Sequence, residues 1–172
     1  MSLATIPITQ IMTKDVKKAK TNDAVLYALK IMAKHKISSV VVVDESDKPV
    51  GMFTAKDAIR VVSEKRGALR LQLKEVMSSP VISINTFTSI KMTVTIMALN
   101  NVNHLPVVEN EKLVGIVSEK DIFRFVLQHE GLILEMLSET APTVSKEILE
   151  RFSTQWAGMG GVWPEPRRTS NR

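Results

Sequence analysis

The chain contains no cysteine, which excludes a disulfide framework, a cysteine zinc site and a thiol nucleophile. Aromatic residues are scarce, with one tyrosine, five phenylalanines and two tryptophans among 172 residues. No stretch interleaves them with arginine, as a base-stacking platform requires. No run approaches the roughly 20 apolar residues that span a bilayer. His35, His104 and His129 are scattered, without His-x-x-x-His spacing, so no metal site is expected. Gly-x-Ser-x-Gly, Walker and dinucleotide fingerprints are missing, and Gly158-Met159-Gly160-Gly161 follows no strand signal. Residues 1–7 lack the charged start and long apolar core of a signal peptide. The expectation is a cytoplasmic protein that does not cross a membrane.

What is present is ordinary globular material: 44% hydrophobic and 24% charged residues, enough for one domain or two small fused ones. The formal charge of +5 is uneven, because Lys14, Lys17, Lys18, Lys20, Lys30, Lys34 and Lys36 crowd the first third. Such a bias suits solubility, an anionic ligand or nucleic acid.

In chain order, residues 8–12 read as a short helical turn packed beneath the next elements, and residues 14–20 as a short edge strand with Val16 its best strand residue. Thr21, Asn22 and Asp23 form a helix-start cluster. Val25, Ala28, Leu29 and Met32 then make an apolar stripe at helical spacing. Residues 39–44 hold four consecutive valines, too β-branched for a helix and apolar on both faces, hence an inner strand. A polar turn over 45–49 leads to a strand over 50–53, and Thr54 caps a second helix with Ala58, Ile59 and Val62 on its apolar face. The unit is β-α-β-β-α.

The unit then recurs. One constant offset carries Met12, Val16, Thr21, Ile31, Met32, Ala33, Val42 and Val43 onto Met77, Val81, Thr86, Ile96, Met97, Ala98, Val107 and Val108. After a turn shortened by one residue (Asn110-Glu111-Lys112), Val50, Gly51, Lys56, Asp57, Arg60 and Val62 meet Val114, Gly115, Lys120, Asp121, Arg124 and Val126. This is an internal duplication, and the second helix stripe is Ile90, Thr93, Val94 and Met97. Residues 63–74 link the copies, with Leu69, Leu71 and Leu73 suggesting a path along the surface of the pair. A strand–helix–strand start implies a parallel pair with a right-handed crossover, followed by a hairpin. Three strands with two helices on one face leave the other face bare. Packing two units sheet to sheet buries it and leaves clefts between them.

Two copies of one stretch stand out: Val50-Gly51-Met52-Phe53-Thr54-Ala55-Lys56-Asp57 and Val114-Gly115-Ile116-Val117-Ser118-Glu119-Lys120-Asp121. Each is a strand ending in a hydroxyl residue with an acid three positions on. That is a capping box, and equally a helix start whose amides face phosphate while the acid grips ribose hydroxyls.

Together with Val76-Met77-Ser78-Ser79-Pro80-Val81 and His104-Leu105-Pro106-Val107-Val108, these stretches resemble a tandem pair of CBS (cystathionine β-synthase) domains over roughly residues 8–128. The resemblance implies an α/β fold of α+β type, with two β-α-β-β-α units as a pseudo-twofold pair. The units would be residues 8–66 and 67–128 (linker and second domain), with a helical and extended tail over 129–172. It implies no catalysis and no required cofactor. It implies a regulatory adenine nucleotide (AMP, ADP or ATP), with S-adenosylmethionine or NAD as other candidates, a homodimer, and a regulated protein partner that the sequence does not name.

Carried over by position, the resemblance places Asp57 and Asp121 on ribose hydroxyls, and Thr54 and Ser118 near phosphate. One cleft would join Ser118 and Asp121 to Val16, Lys17, Ile37, Ser38, Asn103 and His104. Its mate would join Thr54 and Asp57 to Pro80, Val81, Ile82, Val102, Asn103 and Ser39. Apolar Ile37 and Val102 would touch the base. His104 also reads as a partly exposed strand-edge histidine, and Lys17 as solvated surface. The copies differ at Ser39-Val40-Val41 against His104-Leu105-Pro106, so the two clefts are not equivalent.

Three functions compete. The leading one is a non-catalytic sensor. The alternative is a nucleic-acid-binding or scaffolding protein that uses the basic first copy. An independent enzyme has no candidate nucleophile, metal set or acid–base pair. The nine methionines read as packing. In the tail, Val144, Ile148, Leu149 and Phe152 suggest one further helix, and Trp156 and Trp163 suggest packing on the module or a dimer mate.

Overall fold

A computed structural model describes residues 2–129 and Leu132; the expectations for the rest of the tail lie outside the described residues. Each copy builds a three-stranded sheet. In the first copy these elements are β1 (Lys18–Lys20), α1 (Val25–His35), β2 (Ser39–Val43), β3 (Pro49–Thr54) and α2 (Ala55–Glu64). In the second they are β4 (Ile84–Asn85), α3 (Ile90–Asn100), β5 (His104–Glu109), β6 (Lys112–Ser118) and α4 (Glu119–Leu127). β2 lies between parallel β1 and antiparallel β3, and β5 lies likewise between β4 and β6. The β-α-β-β-α order and the central valine strand agree with the sequence reading.

The valines of β2 sort by period two. Val40 and Val42 enter a core with Val25, Ala28, Met32, Ala58 and Val61 from the helices of the same copy. Val41 and Val43 face the other way, with Met52, against Leu113 and Ile116 of the second copy. All four valines are fully buried, each contributing about 1.5–3 kcal/mol of transfer free energy. The pair is therefore packed sheet to sheet.

The lead-in segments cross over. Leu3, Ile6 and Ile8 belong to the core of the second copy, with Ile84, Ile90, Met97 and Leu105. Thr13 and Ile116 exchange backbone hydrogen bonds at 2.8 and 3.0 Å. In return, Leu73 and Val76 complete the core of the first copy, and Ser78 and Met52 exchange bonds at 2.8 and 3.0 Å. The linker does run over the surface, with eight of its residues 63–74 exposed, but Ala68 and Leu73 anchor it in the core of the first copy. Its backbone docks on the start of α1 through Val25 N–H to Leu71 O and Leu73 N–H to Asp23 O.

Three local expectations are corrected. β1 covers only Lys18–Lys20, so Val16 precedes it. The N-cap of α1 is Ala24, with no side-chain bond, because the Asp23 carboxylate turns back to accept from Lys20 N–H at 2.7 Å. On α2 the buried face is Asp57, Ala58 and Val61. Holding Asp57 inward rotates Ile59 and Val62 to the outside, where Ile59 is 73% exposed.

Candidate ligand cleft

β3 and β6 both end in a hydroxyl residue that caps the next helix. Thr54 Oγ1 accepts from Asp57 N–H, and Ser118 Oγ accepts from Asp121 N–H, completing reciprocal capping boxes. In each box one carboxylate oxygen is fully engaged. Asp57 Oδ2 accepts from Thr54 N–H at 3.0 Å and Thr54 Oγ1 at 2.7 Å. Asp121 Oδ2 accepts from Ser118 N–H at 2.9 Å and Ser118 Oγ at 2.6 Å.

The second oxygens differ. Asp57 Oδ1 accepts from Arg60 Nη2 at 3.0 Å and Ser78 Oγ at 3.2 Å. Asp121 Oδ1 faces Arg124 Nη1 at 3.7 Å, beyond hydrogen-bonding distance. The Asp57 side chain is 9% exposed and that of Asp121 20%. Burial opposes ionisation of Asp57, but bonds from Thr54, Arg60 and Ser78 outweigh it and hold the carboxyl below its ordinary range.

A cleft of about 220 Å³ opens beside Asp121. Its walls include Val16, Lys17, Ile37, Ser38, His104, Ser118 and Asp121, all expected there, drawn from both copies. Ser39, expected on the Asp57 side, also lines this cleft. Asn103 is not among the walls; its carbonyl accepts from Glu119 N–H at the start of α4. Of the residues expected around Asp57, Thr54 caps α2, Val81 packs between the sheets, and Val102 packs against the core of the second copy. Pro80 and Ile82 are exposed.

Sequence reasoning missed Thr13, Asp15, Lys36, Ile116 and Lys120 in the cleft. Lys36 ends α1 in the left-handed region, at φ 53°, a position marked in the second copy by Asn101 at φ 54°. Thr13 and Asp15 arrive with the crossed-over lead-in, a tertiary arrangement with no local sequence mark.

The cleft mixes charge. Lys17, Lys36 and Lys120 oppose Asp15 and Asp121. Lys17 Nζ binds Asp15 at 2.5 Å, and this contact draws the Asp15 carboxyl below its ordinary value. His104 sits at the start of β5 opposite Ser118, its Nε2 3.4 Å from Ser38 Oγ of the first copy. Burial lowers its pKa, with Asp121 opposing and Lys120 assisting. The arrangement offers an apolar wall of Val16, Ile37 and Ile116, an acceptor with spare capacity in Asp121, and cations beside the N-terminus of α4. Among the described residues no group of three or more His, Cys, Asp or Glu could hold a metal ion.

The sequence profile of the CBS domain matches residues 8–64 and 73–128. The chain belongs to the CBS-domain family. It is a CBS domain pair, the architecture of a regulatory module. An uncharacterized protein of Methanopyrus kandleri is 31% identical, over 95% of this chain and 91% of its own. The inosine-5′-monophosphate dehydrogenase of Methanocaldococcus jannaschii is 30% identical over 67% of this chain, but only 22% of that enzyme is spanned. A CBS domain pair crystallised with 5′-methylthioadenosine and S-adenosyl-L-methionine superposes with a TM-score of 0.64 at 28% identity. That match covers 69% of this chain and 98% of that one. Among the described residues, no helix is long and apolar enough to cross a membrane.

Proposed function

We propose that this CBS pair is a non-catalytic cytoplasmic sensor whose Asp121 cleft takes an adenosine-containing ligand and relays occupancy to a partner chain. The observation that carries the reading is the open Oδ1 of Asp121 at a cleft walled by both copies. A ribose supplies vicinal hydroxyl donors for that oxygen, and an adenine ring suits the wall of Val16, Ile37 and Ile116. AMP, ADP and ATP are favoured over S-adenosylmethionine and NAD, because Lys36, Lys120 and the N-terminus of α4 suit phosphate. Support also comes from the related pair that holds two adenosine derivatives. Because the walls come from two copies, a ligand can bias how they sit against each other, provided it prefers one arrangement. The exposed Ile59 and Val62 of α2 suit assembly into a homodimer.

The nucleic-acid reading is weaker, because three of the seven lysines crowded into residues 14–36 lie against acids. Lys18 pairs with Asp47 at 2.8 Å, Lys20 lies near Glu45 and Asp47, and Lys17 pairs with Asp15.

Thermal denaturation with AMP, ADP, ATP, S-adenosylmethionine and NAD tests the proposal. A ligand at a hundred times its Kd adds about 2.7 kcal/mol, which raises Tm by roughly 5–10 °C for a domain of this size. Asp121→Ala should erase the shift. A flat response to the whole panel, with salt-sensitive binding to RNA or DNA in its place, would reject the sensor reading.

A further inference from the structure

We infer that the chain has one competent site per CBS pair, the Asp121 cleft, and that Asp57 serves as an interlock between the copies instead of a ligand acceptor. This deepens the sensor reading and rests on it for the ligand, though the interlock itself does not.

A carboxylate has about four acceptor positions, and the protein fills those of Asp57, two donors to each oxygen. One donor, Ser78, comes from the segment leading into the second copy. Arg60 also donates to Val76 O at 3.0 Å in that segment, so a single guanidinium ties α2 to the linker. Ser79 Oγ adds a bond to Val50 O at 2.9 Å. A ribose hydroxyl reaching Asp57 Oδ1 would have to displace Ser78 or Arg60. At the matching place by Asp121, Thr13 lines the cleft, and Arg124 stands off at 3.7 Å with 70% of its side chain exposed. The duplication has thus put one acid to structural use and left its twin open.

An amide substitution separates the two roles. In Asp57→Asn, either orientation of the amide sets its NH2 against a group that can only donate, Thr54 N–H on one side or the Arg60 guanidinium on the other. In Asp121→Asn, the NH2 can occupy the open Oδ1 side and leave the cap intact. Without any ligand, Asp57→Asn should melt roughly 5 °C or more below wild type, and Asp121→Asn within about 2 °C of it. The milder Ser78→Ala, which removes one donor, should fall between them. Calorimetric titration with AMP should give one equivalent per chain for wild type and Ser78→Ala, and no binding for Asp121→Asn.

Equal melting of the two Asn variants would overturn the interlock. Two equivalents of AMP on the wild type would overturn the single site. If AMP does not bind the wild type, the single-site claim fails for AMP, the other ligands of the thermal panel still decide the sensor reading, and the melting series still decides whether Asp57 is an interlock.

Discussion

His104 is where both copies and both charge signs meet the cleft. Its ring faces Ser38 of one copy and Ser118, Lys120 and Asp121 of the other, with Lys17, Lys36 and Asp15 on the same walls. Burial favours the neutral imidazole in the folded chain, so the unfolded chain takes up the proton first. The His104 contribution to stability is therefore whole above pH 6.5 and declines as the pH falls through its own lower value. Urea titrations across that range should show a flatter pH dependence for His104→Gln than for wild type; parallel curves would contradict the burial argument. Lys36 offers a second test. Its left-handed backbone costs a non-glycine residue about 1 kcal/mol, so Lys36→Gly should raise stability by about that much while weakening any anion in the cleft. A melting curve and an AMP titration on the same variant would separate the two effects. The repeat marked Ser118 and Asp121 and the family resemblance marked His104, but neither marked Lys36, because a lysine in the position of Asn101 carries no signal of a left-handed helix end.

Among the elements, the valine strand was legible because four β-branched residues admit few alternatives, and the two helix starts were legible because a capping box is local. The rotation of α2 was not. Ile59 and Val62 look like core by period alone, and only the inward Asp57 turns them out. The crossed-over lead-ins left one faint trace in Gly51 and Gly115, paired by the duplication. A Cβ on Gly51 would lie 2.3 Å from Met77 Sδ, and one on Gly115 would lie 2.5 Å from Met12 Sδ. Each glycine admits the methionine that introduces the opposite copy. Gly51→Ala should therefore cost about 1–3 kcal/mol by overpacking. The cost should shrink when combined with Met77→Ala, because the clash and its partner are then removed together. A double-mutant cycle by chemical denaturation measures the coupling; strict additivity would mean the contact is not the cause.

At the scale of the molecule, the crossover makes the copies depend on each other. Ile8 is fully buried in the second copy's core, yet its chain runs directly into β1 of the first. Leu73 and Val76 make the reciprocal connection, and the sheet faces of Val41, Val43, Leu113 and Ile116 cover one another. Loosening the second copy uncovers an apolar face of the first, so separate unfolding of either copy would expose what the other had hidden. The duplication was readable from residue identities, but this exchange was not: residues 8–12 read as packing beneath the elements that follow them, whereas Ile8 packs in the core of the second copy. Ile8→Ala should cost about 2–5 kcal/mol. The loss should appear equally in hydrogen exchange at the β2 amides of the first copy and the β5 amides of the second. If only β5 loses protection, the copies unfold independently. A ligand in the Asp121 cleft would then have no shared equilibrium through which to reach α2.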